Sequence, residues 1–145
     1  MEVKIKKIRQ NATIPTRGSK EAAGSDIFAC IEEEIRIKPH ETVKIPTGFA
    51  TEMLDRTVAL VYSRSGMTTK RSLVVCQGTA VIDSDYRGEW FIPIHNDSNS
   101  EQKISPGERI AQVIFTDFIV PEFVETDDLL GTERGDGGFG STGTR

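Results

Sequence analysis

Branched apolar residues alternate with charged ones in V-K-I-K-K-I near the start of the chain and again in E-I-R-I-K-P-H-E-T-V-K-I. A period of two is the signature of strands with one face in a core and the other in water. Further β-type runs follow with turn signals every ten residues or so, predicting strands at residues 3–8, 25–31, 34–37, 42–45, 57–62, 73–76, 79–82, 89–96 and 109–118. That spacing predicts an all-β sandwich or barrel. Only S-G-M-T-T-K-R, residues 65–71, reads as a short helix, with Ser65 placed as its N-cap and basic residues at its end. Residues 126–130 offer at most one capped helical turn. There is no internal repeat, and beyond Pro121 the chain becomes polar and then glycine-rich.

The length of 145 residues suits one domain with a real core. A net charge of -4 gives no overall attraction to nucleic acid or anionic lipid, so neither direct nucleic-acid binding nor a membrane partner is expected, and a polyanionic ligand needs local positive charge. The N-terminus reads as a strand rather than a signal peptide, and the protein as intracellular. Cys30 and Cys76, each in an apolar run, read as buried thiols without a disulfide. His40 and His95 are far apart and lack zinc-site spacing, so no protein cage for a metal is expected.

Four stretches and the tail carry candidate chemistry. The tail, R-G-D-G-G-F-G-S-T-G-T-R from Arg134, is a poor strand and a worse helix and is expected to be mobile alone. Its side chains suit a nucleotide: Arg134 for phosphate charge, glycine N–H groups for phosphate oxygens, Ser141 and Thr142 as hydroxyl donors, Phe139 as a base platform. Its first three residues spell an adhesion tripeptide, but nothing else in the chain looks extracellular. Residues 77–90 predict a hairpin around an Asp-Ser-Asp bend, in which Asp83 or Asp85 is a candidate general base; the pattern does not choose between them. Tyr86 reads either as an ordinary cross-strand aromatic or as a ring that lies against the sugar of a bound nucleotide. Ser63-Arg64-Ser65-Gly66-Met67 sets an arginine, hydroxyls and a glycine at a strand-to-helix junction, a natural anion site. Gln112, on a mainly apolar strand, requires a hydrogen-bond partner, and Asp26 in A-A-G-S-D-I invites an arginine such as Arg64.

Taken in order, A-A-G-S-D-I, S-R-S-G-M, G-T-A-V-I-D-S-D-Y-R-G-E, G-E-R-I-A-Q-V-I and R-G-D-G-G-F-G-S-T-G resemble the five motifs of the trimeric deoxyuridine triphosphatase (dUTPase) family over nearly the whole chain. The resemblance implies a β jelly roll (β-clip barrel) with one short helix, spanning residues 1–133, and a glycine-rich arm, residues 134–145, that closes over a neighbouring subunit's active site in a homotrimer. It implies hydrolysis of dUTP to dUMP and pyrophosphate with Mg2+, in the cytoplasm or inside a host cell if the source is viral.

By that likeness Asp83 positions the attacking water and Asp85 is a turn residue. Tyr86 packs on the deoxyribose and excludes a 2′-hydroxyl, while the backbone from Gly78 to Ile82, with Gln77 and Ala80, meets uracil. Arg64, Ser65, Gly66 and Gln112 contact phosphates, and Asp26 orients Arg64 or the metal's water shell. From the tail, Phe139 stacks on uracil, and Arg134, Gly140, Ser141 and Thr142 reach the terminal phosphates. Four positions depart from the family pattern: Ser25 in place of an aromatic or leucine, Ser63 in place of proline, Ala80 in place of glycine and Gln77 in place of asparagine. A dCTP deaminase on the same fold calls for a core catalytic glutamate and a different tail. A nucleotide-sensing or protein-binding module would fold alike without turnover.

Overall fold

In the computed structural model, which describes residues 1–138, the alternating N-terminal run forms β1 (Lys4–Lys7) and pairs antiparallel with β6 (Phe49–Glu52). The second alternating run divides into β4 (Ile35–Ile37), paired with β11 (Gln102–Ile104), and β5 (Thr42–Pro46), paired with β10 (Phe91–Asn96). The other edge of β10 holds β8 (Leu73–Val75). A five-stranded antiparallel sheet has the order β2 (Thr16–Arg17), β3 (Ser25–Phe28), β12 (Arg109–Asp117), β7 (Thr57–Tyr62) and β9 (Thr79–Ile82). Sheet neighbours are mostly distant in sequence, and successive strands cross between sheets, which is a jelly-roll-like architecture.

Burial explains both the correct and the missed strands. In β10 the positions Ile92, Ile94 and Asn96 are buried and alternate with more exposed ones, as the pattern predicts. In β7, by contrast, Thr57, Val58, Ala59 and Val61 are all buried, because the strand is covered on both faces. The unpredicted β2 and β11 are only two and three residues long, and β6, F-A-T-E, lacks alternation because Phe49, Ala50 and Thr51 are all inside. Phe49 packs on Trp90 with ring centroids 5.3 Å apart and planes tilted by 48°, joining β6 to the approach to β10.

Helix α1 (Ser65–Arg71) has the predicted bounds, but Ser65 is its first helical residue and not its cap. Arg64, extended at φ -89° and ψ 138°, takes the cap position with no side-chain bond to the helix, because its guanidinium is committed elsewhere. Residues 126–130 form no helical turn; Thr126 donates its hydroxyl to the Asp128 carbonyl in exposed chain that packs on nothing to favour a helix. The predicted hairpin also parts: β9 joins the five-stranded sheet and β10 the three-stranded one, leaving residues 83–90 as a connection between sheets. Cys76 is only half-buried, whereas Cys30 is buried, donates to Asn11 Oδ1 at 3.0 Å, and has its thiol pKa pushed up by that burial. Both are free thiols. Among the described residues no helix is long and apolar enough to cross a membrane.

Asn96 is the one fully buried side-chain amide among the described residues. Its Nδ2 reaches the carbonyls of Ile37, Lys38 and Ser100 at 3.0, 3.1 and 2.8 Å, and its Oδ1 accepts from the Ser98 backbone and hydroxyl. Three carbonyls thus share two amide hydrogens, tying the β4–β5 turn to the loop after β10. Asn96→Ala leaves those carbonyls without a donor and lowers stability by about 2–3 kcal/mol. Urea unfolding at fixed protein concentration measures this.

Candidate active site

Where β7 ends and α1 begins, strand pairing sets Gln112 beside both Asp26 on β3 and Tyr62 on β7. Asp26 accepts from Arg64 Nε at 2.7 Å through one oxygen and from Arg109 Nη1 at 3.2 Å through the other. Arg64 also donates to the Arg109 carbonyl at 3.3 Å. The carboxylate is only 15% exposed, so the pairing is partly shielded from solvent, and it holds two guanidinium groups at one spot despite their repulsion. The expected partnership of Asp26 with Arg64 is present; Arg109 is a member that strand periodicity did not reveal. A β-bulge between Arg109 and Ala111 breaks the alternation there and turns Arg109 toward Asp26 while Ile110 and Ala111 are both buried.

Gln112 finds the required partner in the Ser63 carbonyl, to which Nε2 donates at 3.0 Å. A β-carbon on Gly24 would stand 2.7 Å from Gln112 Oε1, so glycine is needed there for the amide to lie in place. Ser63, where the resemblance calls for proline, is well held: its hydroxyl accepts from the Val75 N–H at 2.8 Å and fixes β7's exit against β8. At the helix start, Met67 and Thr68 both return their N–H groups to the Arg64 carbonyl, and Arg64 supplies no side-chain cap. The amides of Ser65 and Gly66 have no acceptor among the described residues, and a β-carbon on Gly66 would meet nothing within 4 Å. Both residues are exposed. The group is therefore a cationic, donor-rich ledge with open space before it, the chemistry of a polyphosphate.

The second group lies on and beyond β9. This strand pairs only with β7, so its other edge presents unpaired N–H and C=O groups, which can match the edge of a base. Ile82, Asp83 and Tyr86 line one cavity of about 350 Å³, together with Lys44 and Trp90. Asp83 is exposed, and its carbonyl accepts from the Tyr86 N–H at 3.2 Å in a turn that also carries Asp85. The Tyr86 hydroxyl donates to the Glu89 carbonyl at 3.2 Å, and a β-carbon on Gly88 would overlap the phenol, so Gly88 admits the ring. Glu89 anchors this arm by accepting from Arg9 at 2.8 and 3.0 Å and from the Gly48 N–H at 3.0 Å. Gln77 and Gly78 line a different cavity, of about 460 Å³, with Ser63 and Thr68. Gln77 has φ 65° and Gly78 φ 82°, two successive left-handed residues in the turn that enters β9.

Asp83 and the arginine ledge do not meet within one chain. Ile82 pairs with Ala59, so Asp83 lies one residue beyond Ala59's level, whereas Arg64 lies five residues past it in the opposite direction. Six strand residues span about 20 Å. In the tail, Arg134 is exposed and donates to the Gly137 carbonyl at 2.9 Å. Phe139, Gly140, Ser141 and Thr142 lie outside the described residues.

Comparison with known proteins decides the family. The dUTPase family model matches residues 10–143. The chain belongs to the dUTPase family. It is 43% identical to the deoxyuridine 5'-triphosphate nucleotidohydrolase of Nautilia profundicola over 99% of both chains, and 41% identical to that of Desulfitobacterium hafniense over 99% of this chain and 97% of the other. Among solved structures, a Staphylococcus bacteriophage 80alpha dUTPase mutant with dUpNHpp superposes with a TM-score of 0.90 at 30% identity, covering 99% of each chain. The activity is that of a dUTP diphosphatase: hydrolysis of dUTP to dUMP and pyrophosphate, with Mg2+ as its ion. The donor set at the arginine ledge fits such an ion. Asp26 supplies the carboxylate there, each of its oxygens already accepts from an arginine, and no cage of three carboxylates exists among the described residues. An ion that dehydrates reluctantly would be held there mainly by phosphates and water.

Asp26→Asn removes the charge that restrains Arg64 and Arg109. It lowers kcat/KM for dUTP on the order of 100-fold through misplacement of the two cations, without unfolding the protein. Steady-state pyrophosphate release, with circular dichroism as the fold control, measures this.

Proposed function

We propose that the active site is shared between chains of a homotrimer, with Asp83 of one chain facing a triphosphate held by Arg64, Ser65, Gly66 and Gln112 of another. The separation of about 20 Å between the two groups carries this reading, since neither group alone combines a base with phosphate-binding cations. A second feature supports association. The segment after β12 leaves Ile119, Phe123 and Leu130 at 89%, 92% and 97% exposure, more apolar surface than a lone soluble chain ordinarily presents in one stretch. Another copy of the same chain would cover it.

In the shared site, the unpaired edge of β9 and the adjoining turn, from Gln77 and Gly78 through Ala80 to Ile82, read uracil by backbone donors and acceptors. A mismatched base leaves those groups unsatisfied, which discriminates strongly. Tyr86, seated over Gly88, packs on the deoxyribose and leaves no room for a 2′-hydroxyl. Asp83 takes a proton from a water as the water oxygen bonds to the α-phosphorus in line with the bridging oxygen; the bond to that oxygen breaks, and pyrophosphate departs. Arg64 and the helix-start amides hold the chain of phosphates in the geometry that this displacement needs. When bound, Mg2+ neutralises phosphate charge and aligns the chain of oxygens. Arg134, Phe139, Gly140, Ser141 and Thr142 complete the enclosure, with the arm stacking on uracil and donating to the terminal phosphates. The same reading makes the enzyme cytoplasmic, or interior to a host cell if its source is viral.

Asp83→Asn retains dUTP affinity and loses about 10²- to 10⁴-fold in turnover, the general range for a positioned base. The assay pairs dUTP binding by calorimetry with pyrophosphate release from dUTP, dTTP, dCTP and UTP. Turnover near wild type in this variant excludes Asp83 as the base, and ammonia from dCTP without pyrophosphate from dUTP excludes the reaction.

A further inference from the structure

The chain has two histidines, and their sequence separation hides the fact that the fold brings both to one place. His40, in the β4–β5 turn, His95, on β10, and Asp97, just after it, place their ligand atoms all within 4.8 Å of one another. The backbone beneath them is fixed. Asn96, buried between His95 and Asp97 in the chain, accepts the His40 N–H through its carbonyl at 2.8 Å and donates its own N–H to Glu41 at 3.0 Å. The Asp97 N–H is held by the Ser72 carbonyl at 2.9 Å. His40 has φ 60°, a left-handed conformation maintained by these surrounding bonds.

The ring nitrogens are partnered in the manner of metal-binding imidazoles. His40 Nε2 lies 3.3 Å from Asn99 Oδ1, and His95 Nδ1 lies 2.9 Å from Thr42 Oγ1. With each of these nitrogens donating to its oxygen, the free lone pairs are those of His40 Nδ1 and His95 Nε2. A ligating histidine ordinarily donates its other ring N–H to an oxygen, which fixes the tautomer and the ring plane. Two imidazoles and one carboxylate suit zinc and its neighbours, and disfavour Mg2+, which prefers oxygen donors throughout.

We propose that His40, His95 and Asp97 form a binding site for a divalent cation of the zinc class, with a ligand set separate from Asp26, although His95 also lines the cavity of Gln77 and Gly78. The ion bonds to His40 Nδ1, His95 Nε2 and one Asp97 oxygen, with water completing its shell. It clips the β4–β5 turn to the end of β10, in series with the Asn96 bonds that already join them.

The test uses untagged full-length protein, stripped by chelator and titrated calorimetrically with ZnCl2 in excess Mg2+. One zinc ion per chain is taken up. His40→Asn, chosen because asparagine tolerates the left-handed backbone, weakens uptake at least tenfold, as does His95→Ala, and Asn99→Ala weakens it about tenfold through the loss of the oxygen behind the ring. Cu2+ used as a probe shows hyperfine coupling to two nitrogens, and the single His40→Asn variant reduces this to one while dUTP hydrolysis stays at the wild-type rate. Absence of stoichiometric zinc uptake overturns the proposal. So does uptake retained by folded His40→Asn or by the variant that also carries His95→Ala, which would assign the zinc to other ligands such as the thiols.

Discussion

The pairing of β7 on both its edges is the constraint from which the active site follows. On one edge β12 sets Gln112 beside Tyr62; on the other, β9 sets Ile82 beside Ala59. Because strands rise about 3.3 Å per residue, that register fixes the distance between the arginine ledge at one end of β7 and Asp83 at the other. Slipping it by one residue would turn Gln112 and Val113 to the wrong faces and separate Gln112 from the Ser63 carbonyl. A chain that holds Arg64 and Asp83 this far apart cannot fold one onto the other, and the proposed site therefore calls for a second copy.

The two halves of the proposed site differ in character. The ledge is electrostatic: Asp26 suppresses the repulsion between Arg64 and Arg109, and the uncapped amides of Ser65 and Gly66 add donors without adding bulk. The edge of β9 is steric and directional, with an open ladder of backbone groups and a tyrosine seated in the space that Gly88 leaves. Recognition of phosphate charge tolerates small displacements, whereas recognition of a base does not. Structurally, the second half is tied to the core through Glu89, Arg9 and Trp90, while the ledge sits at a strand terminus.

Much of this was legible in the chain. The long alternating strands, the helix bounds and the Asp26–Arg64 pair follow from period, composition and charge, because each depends on residues whose neighbours are local or whose chemistry admits few partners. What was hidden depends on tertiary pairing. β6 lacks alternation because both of its faces are covered, and β2 and β11 are too short for a period to show. Arg109 reaches Asp26 through a bulge, and no pattern of two announces a bulge. The predicted hairpin had the right turn chemistry, but its second arm found a different sheet. His40 and His95 looked unrelated because only the β5–β10 pairing, with Thr42 opposite His95, makes them neighbours.

The shared site is tested most directly by complementation. Arg64→Ala and Asp83→Asn chains, each nearly inactive alone, are unfolded together, refolded as mixed assemblies and assayed for pyrophosphate release from dUTP. Random assortment puts an intact aspartate opposite an intact arginine in about a quarter of the sites, so activity recovers to about a quarter of the wild-type value per chain. Mixed assemblies that form and yet show no more activity than their parents would place both residues' work within one chain and contradict the account.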